Sequence, residues 1–254
     1  MLTVMRYFIF LSYKGTGFHG WQRQPEAMTV QQLIEKVLSL KLGADTPVTG
    51  AGRTDTGVHA QYYCAHFDSD RTDLAGNSDF VHSLNSFLPS EVAIRKIVRV
   101  THDASARYSA VSRTYIYRIL REKDPFLADT GWCYTGDLDV ESMNHAAGIL
   151  LEYTDFASFC RSNSDVRTTI CRITEAVWYQ NQHILEFRIT ADRFLRNMVR
   201  AIAGTMINIG QGKLSPDEFR QIIEARDRTK AGQSAPAQGL MLTDIRYSEE
   251  IFID

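Results

Sequence analysis

PVTGAGRTDTGVHAQYYCAHF, residues 47–67, reads as two strands around a glycine-rich loop. Residues 47–53 lead in, residues 58–67 lead out, and Gly50, Gly52 and Gly57 supply the turn. A hairpin needs the glycines, but it has no need of Arg53, Thr54 and Asp55 in succession, so the loop is also a candidate for chemistry. Aspartate is common in turns, and residue type alone leaves Asp55 open between turn former and catalytic group. The spacing is neither GxGxxG nor a Walker loop, so no nucleotide cofactor is implied.

Working outward, residues 4–13 read as a strand. Residues 30–42 read as a helix, with Val30, Leu33, Ile34, Val37, Leu38 and Lys41 at helical spacing behind a Thr29 cap. After the two central strands come a short helix over 77–88, ending before Pro89, and a strand over 92–100. The second half repeats this order. It has a strand at 113–121, a helix at 139–151, strands at 170–179 and 183–190, a helix at 193–210 and a strand at 241–247, with a helix at 216–225 inserted. Each half is β-α-β-β-α-β, which predicts an α+β fold of two ferredoxin-like units with antiparallel sheets side by side and a central active-site cleft. Residues 1–105 form the first unit, with the Asp55 loop, and residues 106–254 the second, with a tyrosine-bearing strand and an arginine-bearing helix.

Composition narrows the function. A chain of 254 residues, 44% hydrophobic and 23% charged, has the make-up of a soluble globular protein. The apolar run near the N-terminus is too short to span a bilayer, contains Arg6 and lacks a leader's basic start and cleavage site, which predicts a cytoplasmic protein without membrane attachment. Cys64, Cys133, Cys160 and Cys171 form no CxxC and the seven histidines no HxxxH, so neither a disulfide framework nor a metal site is signalled. The cysteines read as buried reduced thiols. Net charge is −2, yet of 28 basic residues only seven are lysine. Arginine's planar fork suits phosphate and stacks on bases, although a genome's base composition also produces arginine-rich chains.

Three more stretches bear on function. YKGTGFHGWQRQP (residues 13–25) carries Trp21, Gln22 and Arg23 on a glycine-rich loop. That mixture is suited to stacking and hydrogen bonding with RNA bases, the alternative being a turn with Trp21 tucked into the core. ARYSAVSRTYIYRI (residues 106–119) puts Arg113, Tyr115 and Tyr117 on one strand face, where tyrosines are usually core. RFLRNMVRAIAG (residues 193–204), read as a helix, groups Arg193, Arg196, Asn197, Arg200 and Gly204 on one side, and no acid occurs from Arg193 through Gly212.

AGRTDTGVHA, GFHGWQRQP, LNSFLP, ARYSAVSRTYIYRI, FLRNMVRAIAG and GLMLTDIRY together resemble, in order and over nearly the whole chain, the motifs of the tRNA pseudouridine synthase A family. The resemblance implies isomerisation of uridine to pseudouridine in the anticodon stem-loop of tRNA, at positions 38, 39 and 40, by a cofactor-independent homodimer. It assigns Asp55 as the catalytic aspartate, with Arg53, Tyr115 and Arg200 as active-site support, Arg200 meeting the aspartate. It leaves Trp21, Gln22, Arg23, Arg193 and Arg196 to hold RNA. Lys14 stands where the family pattern leads one to expect an acid, and Arg196 and Asn197 also depart from it. The rival readings are a non-catalytic RNA-binding module, which has little use for Asp55 in such a loop, and a pseudouridine synthase with other RNA targets.

Overall fold

The computed structural model describes residues 4–161 and 167–253. The protein is α+β: its strands are mostly antiparallel, and five α-helices occur among the described residues. The chain divides into two compact units, Met1–Val111 with Leu242–Asp254, and Ser112–Met241.

In the first unit, β1 (Met5–Tyr13) is followed by α1 (Val30–Leu42), β2 (Thr49–Gly50), β3 (His59–Ser69), α2 (Ser78–Asn85) and β4 (Val92–Val100). β1 lies between β4 and β3, antiparallel to both, and β2 pairs with the other edge of β3. Tyr7 through Leu11 are all at most 1% exposed, because both faces of this central strand are covered, as an unbroken apolar run requires. On one face Phe8 meets Tyr247 and Phe252, with ring centroids 5.0 and 6.3 Å apart. α1 starts where Thr29 accepts from Gln32 N and ends at Gly43, whose φ of 71° suits glycine. It buries Val30, Ile34, Val37 and Leu38, each such side chain contributing about 1.5–3 kcal/mol.

The outer strand β4 is covered in two places. Asn85 of α2 exchanges two 2.8 Å hydrogen bonds with the backbone of Ile94. Further along, Thr101 N donates to Ile251 O and Ile253 N to Arg99 O, so the C-terminal segment lies against the strand's end.

The second unit contains β5 (Ala110–Leu120), β6 (Trp132–Cys133), α3 (Val140–Ile149), β7 (Ile173–Asn181), β8 (Ile184–Ala191), α4 (Met198–Gly210) and α5 (Pro216–Ala225), before β9 (Leu240–Tyr247). β8 runs antiparallel between β5 and the outer strand β7, and β6 adds a short parallel pairing to β5. Here Asn144 of α3 exchanges hydrogen bonds of 3.0 and 2.8 Å with the backbone of Trp178. α4 is apolar nearly all round and correspondingly buried.

Three expectations need correction. The helix expected over 193–210 begins at Met198, because Asn197 adopts φ 66°, which an α-helix cannot contain. The lead-in strand expected over 47–53 shrinks to Thr49–Gly50: Ala51 N still bonds to Cys64 O, but Gly52 then turns to the Tyr63 hydroxyl in place of the backbone of β3. Cys64, Cys160 and Cys171 are buried, and burial pushes the Cys64 thiol far up and Cys171 up to about 12, but Cys133 is exposed.

Candidate active site

The loop between β2 and β3 is held by aromatic side chains from below and by the 15–21 segment alongside. Ala51 N donates to Cys64 O at 2.8 Å, and the Tyr63 hydroxyl bonds to the Gly52 carbonyl. Trp21 lies on Tyr63 with centroids 4.1 Å apart, and Tyr13 meets the edge of Tyr63 at 5.5 Å, each ring pair adding about 0.5–1.5 kcal/mol beyond its buried area. Gly50 passes so close that a Cβ there would lie 2.3 Å from the Tyr63 hydroxyl and 2.4 Å from Trp21 Nε1. Only glycine fits.

Asp55 sits at the turn. Thr54 is buried, its hydroxyl 2.9 Å from that of Tyr13, and its carbonyl accepts from Trp21 N at 3.2 Å. Val58 N donates to Asp55 O at 3.1 Å, and Gly57 takes φ 81° to complete the reversal. Across the gap, Gly15 N donates to His59 Nδ1 at 3.0 Å. The alternation that results leaves Arg53 and Thr56 exposed and Asp55 half-buried between them, a carboxylate on an anchored backbone with access to solvent.

Trp21, expected to hold RNA, is only 3% exposed. Its indole offers no face to a base, and the glycine-rich stretch around it is a wall of the loop, as the core alternative had it. Gln22 and Arg23 on the same segment are exposed. Two residues that sequence reading missed tie this segment to the chain that leads into the loop. Gln31 Oε1 accepts from Arg23 N at 3.0 Å while its Nε2 donates to Val48 O at 3.1 Å. Glu35 accepts from Val48 N and Gln31 Nε2 and reaches Arg23 at 3.4 Å. The available signal was a polar pair at i, i+4 on the helix that follows that segment.

In the second unit, β5 presents Arg113 and Tyr115 to the segment that precedes α4. Arg113 donates to Asp192 O at 2.8 Å, and Tyr115 meets Phe194 edge to face at 5.2 Å. Arg193 is half-buried and Arg196 exposed, both on non-helical chain, so with Arg200 they do not form the single helix face expected of them. Arg200, in the first turn of α4, donates from Nε to Ala235 O at 2.8 Å and accepts from Ala235 N at its own carbonyl. Tyr117 is fully buried, its hydroxyl donating to Pro236 O; burial pushes its pKa well up, with Arg200 pulling the other way. Among the described residues, no cluster of three or more His, Cys, Asp or Glu is placed to hold a metal ion, and no helix is long and apolar enough to cross a membrane.

Residues 150–248 match the profile of a family described as tRNA pseudouridine synthase. Over nearly its whole length the chain is similar to proteins named tRNA pseudouridine synthase A. It is 49% identical to that of Parabacteroides distasonis, over 97% of this chain and 98% of the relative. For Bacteroides fragilis the identity is 47%, over 99% and 100%. For the more distant Caldicellulosiruptor bescii it is 40%, over 93% and 97%.

Proposed function

The chain belongs to the tRNA pseudouridine synthase A family, and from that membership we propose that it isomerises uridine to pseudouridine in the anticodon stem-loop of tRNA, at positions 38, 39 and 40, with Asp55 as the catalytic carboxylate. The observation that carries the reading is the 46–49% identity to relatives of that name over nearly the full chain. The anchored loop adds support: it holds one carboxylate half-exposed on a backbone fixed from three sides. The C1′–N1 bond breaks, the uracil turns, and C5 bonds to C1′; the C5 proton goes to solvent and N1 gains one, so atoms balance without a redox partner or group donor. Attack at carbon or proton removal at C2′ both demand a carboxylate at the sugar. The target leaves its stack to reach the pocket, Arg53 filling the vacated space, Tyr115 packing on the base and Arg200 supporting the aspartate.

On the same reading the chain is a duplication of residues 1–105 and 106–254. The order β4-β1-β3-β2 in the first unit supports a ferredoxin-like split βαβ arrangement. The protein works in the cytoplasm as a homodimer.

The test is incubation of the purified protein, with no cofactor added, with tRNA tritiated at uridine C5. Label is released to water, and transcripts carrying cytidine at 38, 39 and 40 release none; retention of label in the native transcript overturns the proposal. RNA binding is attributed to Gln22, Arg23, Arg193 and Arg196. Arg193→Ala and Arg196→Ala should each lower the slope of log K against log salt by about one unit. Slopes equal to wild type in a binding titration from 50 to 200 mM salt would remove these arginines from the phosphate contacts.

A further inference from the structure

α4 carries a glycine in its second turn, where helix propensity alone disfavours it. A Cβ on Gly204 would lie 1.9 Å from Gln233 O, so the chain over 231–236 is strapped directly onto the helix backbone. Gly232 makes the same close approach from the other side, with Thr205 Cα 3.0 Å from where its Cβ would be, and its N–H donates to Thr205 Oγ1 at 2.9 Å. Irregular chain in such a place must find donors for its carbonyls. One residue supplies two of them and reaches a third acceptor on the strap. Arg228 donates from one terminal nitrogen to Ala231 O and Gly232 O, at 3.3 and 3.1 Å, and from the other to Ser234 Oγ at 3.2 Å. Ser234 Oγ also accepts from Nδ2 of Asn197, the left-handed residue at the start of α4, at 2.6 Å. The next residue, Ala235, carries the carbonyl that receives Arg200 Nε.

We propose that Arg228 is a positioning residue for Arg200: its guanidinium clasps the 231–235 strap, and the strap's Ala235 carbonyl sets the direction of the Arg200 side chain. The inference rests on the reading of Arg200 as active-site support. Arginine is suited to the clasp because its fork reaches three acceptors at fixed angles, which a lysine ammonium on a flexible stem cannot reproduce. Arg228 does not touch the substrate in this scheme.

The experiment measures single-turnover rate, tRNA affinity, salt slope and melting temperature for the full chain and for Arg228→Ala, Arg228→Lys, Arg200→Ala and the Arg200→Ala/Arg228→Ala pair. Arg228→Ala should slow the reaction about ten- to a hundredfold, the size expected of a displacement approaching 1 Å at the reacting groups. Affinity should stay within about threefold, because the clasp makes no phosphate contact. Arg228→Lys should recover only part of the rate. In the Arg200→Ala background the Arg228 substitution should change the rate by less than about twofold, because a residue that acts through another has nothing left to act on. Additive losses in the pair overturn the proposal, as does a loss seen in affinity with a lowered salt slope, which would make Arg228 a phosphate ligand. If Arg228→Ala does not fold, Ser234→Ala decides: a smaller rate loss, again absorbed by Arg200→Ala, supports the clasp, and an unchanged or additive rate overturns it. Wild-type rate in Arg200→Ala alone would instead sink the reading of Arg200 on which the inference rests.

Discussion

Asp55→Asn is expected to hold turnover below about a thousandth of the wild-type rate while tRNA affinity stays within about threefold. The two quantities separate because they rest on different groups. The carboxylate enters the chemistry, whereas affinity is spread over many backbone contacts. Asparagine is close in size, and the substitution keeps three contacts that fix the turn through other atoms. These are the Val58 N bond to the residue 55 carbonyl, the Tyr13–Thr54 hydroxyl pair and the Trp21 N bond to Thr54 O. The loop should therefore keep its shape with the reactive group removed. Release of tritium from uridine C5 in a single turnover, beside a filter-binding isotherm, reads both. A residual rate above that level would withdraw Asp55 from the catalytic role.

Gly20→Ala should cost the next largest loss of rate although residue 20 meets no substrate in the proposed mechanism. Its φ of 81° costs an alanine roughly 1–2 kcal/mol, and the added Cβ would lie 2.4 Å from Thr54 O. That carbonyl belongs to the residue before Asp55 and is backbone, so the loop itself must move. A shift near 1 Å at the catalytic group is worth about a hundredfold in rate. Gly43→Ala is the control. It carries a comparable φ of 71° with nothing within 4 Å, and should lower the melting temperature without touching the rate. Equal kinetic effects of the two substitutions would assign the loss at Gly20 to general destabilisation and not to displacement of the loop.

Elements whose signals are local were legible in the sequence. The helix Val30–Leu42 falls where periodicity and the Thr29 cap put it, and the helix Pro216–Ala225 and the strand Val92–Val100 cover the residues expected of them. Arg193 to Asn197 were misplaced because the side-chain pattern stays helical while Asn197 turns left-handed, and the bond that supports it comes from Ser234, far along the chain. Trp21 misled for a related reason. Glycines beside an aromatic look like an exposed loop, and it is packing on Tyr63, 42 positions on, that makes the indole a buried surface. Asp55 stood out by its company, Arg53 and Thr54 between glycines, and the family resemblance gave it a role. Arg228 gave no such sign, since an arginine in a polar connecting segment is ordinary; the visible trace of its partner strap was Gly204 inside a helix, where a glycine marks close approach.

The asparagine bonds to Ile94 and Trp178 carry a consequence for the protein's behaviour at high concentration. β4 and β7 are the outer strands of their units, and an outer strand's unpaired N–H and C=O groups are a template on which another chain can polymerise. Asn85 and Asn144 occupy one such pair each with side-chain amides, and the C-terminal segment occupies the far end of β4. Each amide thus acts as a one-residue blocking strand supplied by a helix, and it remains in place as long as that helix stays docked. Resistance to fibril formation is therefore tied to helix docking, and conditions that loosen α2 or α3 would uncover sticky edges before the sheets themselves come apart.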